Sequence, residues 1–407
     1  MPPALSGFRA ALFCALIISR ISEHRVMGAT KSWKPLGGVP ATLGMAAFPS
    51  LALDEQDGGR AYLAYSDLSG RGGGKAFVRR FAGGAWRQVG GNASMDGTQD
   101  VWLAMHPARK GYPWVAYSDN AADGGLSVVA LEGGSWRYKG VPGFSLGFAA
   151  QVQLAISATG DVYVAFQDGW LDNRLTVMQF VGTWLYVGPD GPGITQQGVE
   201  YISLAVDKNG APLVAFQDFS SPLLQGRLLI FSRTKPTGRS PPPPPAPPGF
   251  PGMPGRWLSV GSYFSAKQAS YISLTTHPKT GQPYVAFTDE AHGHKVTVRT
   301  RAPKQPWKDV GPPGFAGPYS GTNSLAFDSA GTLHVAFQCK VAGTMKPCVR
   351  RLAGTSWVQE GQLGVSKGES ALQDIHPYLT LRYHATAGFL AYSDRGYQGK
   401  AVVSAYS

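Results

Sequence analysis

The stretch Tyr201–Asp218 reads Y-I-S-L-A-V-D-K-N-G-A-P-L-V-A-F-Q-D. Two runs rich in β-branched, aromatic and small apolar residues flank Asn209-Gly210, a dipeptide that readily takes the left-handed backbone of a tight hairpin turn. A third run, Arg227 to Phe231, follows, and a fourth opens at Trp257 with W-L-S-V-G. Four antiparallel strands in this order make one blade of sheet.

The same unit recurs on both sides of this stretch. The second strand ends in Ala, an aromatic, a polar residue and Asp at Ala64–Asp67, Ala116–Asp119, Ala165–Asp168, Ala215–Asp218, Ala286–Asp289 and Ala391–Asp394; Ala336–Cys339 closes on cysteine instead. The fourth strand carries Trp33, Trp86, Trp136, Trp184, Trp257, Trp307 and Trp357. Both tallies give seven, so the expected fold is all-β: a seven-bladed β-propeller of four antiparallel strands per blade over residues 29–407. The tally opens on a lone fourth strand at Trp33 and ends on a third strand, Ala401 to Tyr406. Trp33 is therefore expected to supply the outer strand of the last blade, closing the ring and leaving no open edge.

First strands carry small residues beside leucine, as in Ser50-Leu51-Ala52, Ser203-Leu204-Ala205 and Ser324-Leu325-Ala326, which crowding at a propeller axis would require. The tryptophans and second-strand aromatics are large enough to fill the space between blades.

Composition agrees. Of 407 residues, 43% are hydrophobic and 15% charged, which excludes a disordered chain, and 53 glycines with 31 prolines fit many short turns. The net charge of +12 raises the question of polyanions. Basic residues cluster at Arg71, Lys75, Arg79 and Arg80, at Arg299, Arg301, Lys304 and Lys308, and at Lys340, Lys346, Arg350 and Arg351. No RNA-binding or helix-turn-helix pattern accompanies them, so they read as solvated faces and nucleic acid is not an expected partner.

Residues 1–28 read as a secretory signal or a disordered leader: Arg9 precedes the apolar run Ala10–Ile18, which is too short to span a bilayer, and Arg20 follows. A secreted location is expected, with the cytoplasm as the alternative. Cys339 and Cys348, at the two ends of one predicted hairpin, are a disulfide candidate, and Asn92-Ala93-Ser94 is a glycosylation candidate at Asn92. A proline-rich insert, residues 236–256, contains P-P-P-P-P-A-P-P-G-F-P-G-M-P-G and falls between the third and fourth strands of the fourth complete blade. It is expected to project as polyproline II, for a proline-reading domain or an extracellular matrix.

Loops from second to third strand and from fourth to first strand share one face of a propeller. Asp67, Asp119, Asp168, Asp218, Asp289 and Asp394 end their strands near that face, where carboxylates could bind a divalent cation or sugar hydroxyls. Repetition in nearly every blade favours a plainer task, each Asp accepting N–H bonds from its own turn. Asp289, Glu290, His292 and His294 form the densest titratable cluster, at a spacing that can ligate a metal, but no third distant ligand is identifiable. No cofactor beyond such a cation is expected. No G-x-S-x-G, H-E-x-x-H or G-x-x-x-x-G-K-[ST] motif is present, so no catalytic residue is assigned.

Strand order, aromatics and tryptophans together resemble a kelch-like propeller, in which each repeat runs strand, strand ending in a glycine pair, strand with an aromatic, then tryptophan. Here the polar-Asp ending replaces the glycine pair, and pairs stand instead before tryptophan at Gly83-Gly84 and Gly133-Gly134. The tandem Trp-x-x-Val-Gly pattern is similar to that of secreted propellers. The expected function is that of a secreted, monomeric binding or scaffold protein that recognises a glycan or a protein through its loop face. A glycan-active enzyme using carboxylates on that face, and an intracellular kelch-like adaptor, are the alternatives.

Overall fold

The computed structural model describes residues 31–69, 74–188, 191–232, 252–317, 321–370 and 379–406. Residues 1–28, expected to be a signal or leader, and most of the proline-rich insert lie outside them. Among the described residues, twenty-eight strands form seven four-stranded antiparallel sheets, a seven-bladed β-propeller. Blades 1 to 6 span residues 46–88, 98–138, 149–186, 199–259, 269–309 and 323–359; blade 7 joins residues 380–406 to Trp33–Pro35. Strands are lettered A to D in each blade from the axis outward. The A strands touch one another in cyclic order, the last returning to the first.

Trp33–Pro35 is the D strand of blade 7, with Trp33 opposite Tyr406 and Pro35 opposite Ser404. Residues from both ends of the propeller thereby share one sheet, and blade 7 has the same four strands as its sisters.

One repeated hydrogen bond holds every seam between blades on the outside, and a second holds four of the seven on the inside. On the outside, every D-strand tryptophan donates its indole N–H to a carbonyl just beyond the D strand of the preceding blade. Trp357 reaches Val310 O at 2.8 Å, and Trp33 reaches Glu360 O at 3.0 Å across the closing seam. Burying indoles without leaving the N–H unpaired is what this geometry achieves. It also explains the Gly of Trp-x-x-Val-Gly: at Gly311, φ is 71° and a Cβ would lie 2.8 Å from the Trp357 ring.

On the inside, small A-strand residues do more than fit. Ser50, Ser203, Ser273 and Ser324 accept the backbone N–H of Leu103, Leu274, Leu325 and Leu381 in the next A strand, at 2.9–3.0 Å. Larger or apolar side chains there would orphan a buried N–H.

The disulfide between Cys339 and Cys348 is present, with Cα atoms 5.9 Å apart. The two residues are not directly opposed. Cys339 faces Lys346 and Cys348 faces Phe337, so the bridge is diagonal across the hairpin. The expectation of uniformly solvated basic clusters also needs correction. Arg79, Arg299 and Arg350 turn their guanidinium groups onto the carbonyls of Ala41, Phe264 and Phe315 in the connection leading into their own blade. Burial pushes the Arg350 pKa down.

Candidate functional site

The B–C and D–A connections share one face, as the antiparallel order requires. In blades 2, 3, 5 and 7 the B–C connection is a single 3₁₀ turn, and the aspartate that ends strand B begins it. Asp119, Asp168, Asp289 and Asp394 accept the N–H of Ala121, Trp170, Ala291 and Gly396, two residues on, at 2.8–3.1 Å. Asp67 and Asp218 do the same for Ser69 and Ser220. This is N-capping in miniature: the carboxylate serves a backbone donor that the short turn cannot satisfy.

The second carboxylate oxygen is also engaged in several turns. Asp119 and Asp289 accept the hydroxyls of Ser127 and Thr297 at 2.7 and 2.9 Å. Those hydroxyls in turn accept the N–H of Gly143 and Gly314 in the next D–A connection. Asp218 meets Arg227 at 3.1 Å. Asp394 accepts the amides of Lys367 and Gly368, both at 2.9 Å. The aspartates thus tie turn to turn. Burial raises the pKa of Asp168, whose backbone and hydroxyl bonds only partly offset it.

His292 is hydrogen-bonded to Asp289 at 2.7 Å, whereas Glu290 turns toward Lys267 at 3.7 Å. His294 ends the turn in left-handed backbone, with φ of 56°. Among the described residues, no three His, Cys, Asp or Glu side chains converge closely enough to hold a metal ion. Asn92 is exposed in the D–A connection between blades 1 and 2.

With the carboxylates drawn into the turns, other side chains make up the accessible surface of this face. Thirteen large apolar side chains are exposed among the described residues. All but Val181 lie in B–C or D–A connections. Blades 2 to 4 contribute the aromatic members: Phe148 and Phe219, each 42% exposed, and Trp170, 72% exposed. The Phe148 ring lies over Gly124 of the blade 2 turn, where φ is 77° and a Cβ would come within 2.3 Å of it. Its carbonyl accepts the N–H of Gly169, the residue before Trp170. The stripe is therefore fixed to two blades at once.

The same face opens on the axis. In blades 1 to 5 the A strand bulges at Phe48, Asp100, Gln151, Tyr201 and Tyr271, each with φ of 50–53°, so that two residues oppose one on strand B. Gln151, Tyr201 and Tyr271 line a cavity of about 140 Å³ on the axis, together with Gln153, Ser203, Ser273, Ser324 and Arg382. Neither the apolar stripe nor Arg382 belongs to the sequence-derived site. Superposing the A-strand copies supplies the signal for the second: where Ser50-Leu51-Ala52 and its sisters place alanine, the last copy reads Thr380-Leu381-Arg382.

No family model matches this chain, and no curated protein does. Among solved structures it is similar to the BP39L lectin from Burkholderia pseudomallei, at 14% identity and a TM-score of 0.59, over 88% of this chain and 95% of that one. It is also similar to an ulvan lyase of polysaccharide lyase family PL25, at 10% identity and a TM-score of 0.50, over 93% and 94% of the two chains. A third similar structure is AofleA from Arthrobotrys oligospora, at 13% identity and a TM-score of 0.46, over 82% and 91%. The likeness is one of fold. No helix among the described residues is long and apolar enough to cross a membrane.

Proposed function

We propose that this propeller is an extracellular glycan-binding protein that takes saccharides on its B–C/D–A face, with Phe148, Trp170 and Phe219 as the stacking surface. The observation that carries this reading is the one-sided distribution of exposed apolar side chains, centred on Trp170 at 72% exposure. Soluble proteins seldom gather such groups on one face without a ligand for it. A sugar ring offers an apolar C–H face and an equatorial fringe of hydroxyls. An indole covers the first, at roughly 25 cal/mol per Å² removed from water, while turn carbonyls and side chains can meet the second.

Three further observations support the reading. BP39L, a protein of the same fold, is a lectin. The Cys339–Cys348 bridge suits an oxidising compartment. The proline-rich insert falls in the connection between strand C, which ends at Ser232, and strand D, which begins at Arg256, and C–D connections belong to the opposite face.

A glycan array probed with the purified chain, followed by calorimetry on the best hit, tests the proposal. Trp170→Ala should weaken binding about tenfold or more, equivalent to about 1.4 kcal/mol, with an unchanged melting temperature. Equal binding by the variant would overturn the placement of the site. Capture of a protein instead of any glycan would overturn the ligand class, and release of a cleaved product would make the chain an enzyme.

A further inference from the structure

The axial channel is built in layers of seven. One layer holds the third residue of each A-strand motif: Ala52, Ala104, Ala155, Ala205, Thr275, Ala326 and Arg382. All seven line the cavities around the axis, and Arg382 lines three of them. Six small residues thus leave the space that one guanidinium enters.

Among the described residues that guanidinium makes a single hydrogen bond, from Nη1 to the carbonyl of Leu381 at 2.9 Å. No carboxylate among the described residues lies within ion-pair distance of it, and the residue is half-buried in the wall of the channel. Loss of hydration alone holds its pKa down at about 10. Enclosed charges are ordinarily paired, because the hydration they give up must be replaced.

Neutral side chains with N–H and O–H groups to donate line the 140 Å³ cavity beside it. Gln153, only 8% exposed, makes no hydrogen bond to protein through its side chain among the described residues. Ser203, Ser273 and Ser324 each accept a backbone N–H from the neighbouring blade, and their own O–H protons find no acceptor among the described residues. Asn323 Oδ1 is a buried acceptor without a partner among the described residues, which a water carried with the ligand would serve. Two carboxylates line the cavities at the A–B end, and both are engaged: Glu55 with His384 at 2.7 Å and Asp328 with His334 at 3.4 Å.

We propose that the axial cavity is an oxyanion site, in which Arg382 grips a carboxylate or sulfate group that Gln153 and the hydroxyls of Ser203, Ser273 and Ser324 encircle. A guanidinium fork matches two oxygens of such a group, and neutral donors complete its shell without a second charge. A volume of about 140 Å³ holds one small oxyanion and a few waters, each water taking about 30 Å³. The site is separate from the aromatic stripe and does not depend on the glycan reading.

The test uses the full chain, with sodium sulfate, sodium acetate and a uronic acid oligosaccharide as probes, against sodium chloride at equal ionic strength. Sulfate or acetate at millimolar concentration should raise the melting temperature by several degrees, and calorimetry should give one site per chain. Arg382→Met should abolish the shift yet melt no lower than wild type without anion, since the uncompensated charge is gone. Gln153→Leu, which leaves Arg382 in place, should weaken binding about threefold to tenfold. A response confined to the oligosaccharide and lost in Arg382→Met supports the site with a polymer as its source. Equal shifts in wild type and Arg382→Met, or no shift with any probe, would overturn the proposal.

Discussion

Blade 6 and its six sisters solve the same problem differently. In the sisters strand B ends on an aspartate whose carboxylate holds the first amides of the turn; in blade 6 the corresponding residue is Cys339, and no such turn follows. Strand B continues to Val341, turns through Ala342-Gly343 with φ of 48° and 84°, and returns as Thr344–Ala353 under the disulfide. A two-residue hairpin satisfies its own amides, so nothing is left for a carboxylate to hold. The exchange of a carboxylate for a covalent bridge at one position shows what that position is for. It fixes chain geometry, and the chemistry offered to a ligand lies at the turn tips, which differ from blade to blade.

The strongest way to break this comparison is at Asp394, whose carboxylate accepts three amides: Gly396 in its own turn, and Lys367 and Gly368 in the connection arriving from blade 6. Asp394→Ala leaves all three without their acceptor and should cost about 2–4 kcal/mol in urea unfolding. Next comes the bridge. Cys339→Ser with Cys348→Ser, or reduction, removes a constraint on a loop of nine residues and should cost about 2–3 kcal/mol. If the bridge proves the costlier loss by a clear margin, the aspartate turn is the weaker device and the equivalence argued above fails.

The repeat made most of this legible. Seven tryptophans and seven second strands specify the ring, and the lone Trp33 strand specifies its closure, because each depends on spacing that a sequence displays directly. The structural task of the aspartates was also readable, since an element repeated in nearly every blade points to local geometry. The stripe was not. Trp170 and Phe148 sit in connections without strand periodicity, and whether an aromatic there packs inward or stays in water depends on neighbouring blades. Nor was the role of A-strand serine, because a seam bond between Ser203 and Leu274 joins residues 71 apart in sequence. Arg382 shows itself once the copies are superposed, but its isolation from carboxylates is a property of the assembled channel.

Asp168 offers the smallest effect and the finest discrimination. Its bonds, to the N–H of Trp170 at 3.1 Å and the hydroxyl of Thr176 at 3.5 Å, are longer than those of Asp394, and burial raises its pKa. A carboxyl whose folded pKa exceeds its unfolded one binds its proton more tightly when folded. Its contribution to stability therefore grows as pH falls from neutral through the folded pKa, and levels off below the unfolded one. Asparagine keeps an oxygen for the Trp170 amide and does not titrate. Asp168→Asn should cost less than about 1 kcal/mol at pH 7, and the gap to wild type should widen at pH 5 in matched urea titrations. A gap that narrows instead would mean that the turn needs the ionised carboxylate, as a charged cap does. Because that amide belongs to Trp170, unchanged glycan binding by the same variant would show that the turn presents the indole through its shape and not through its charge.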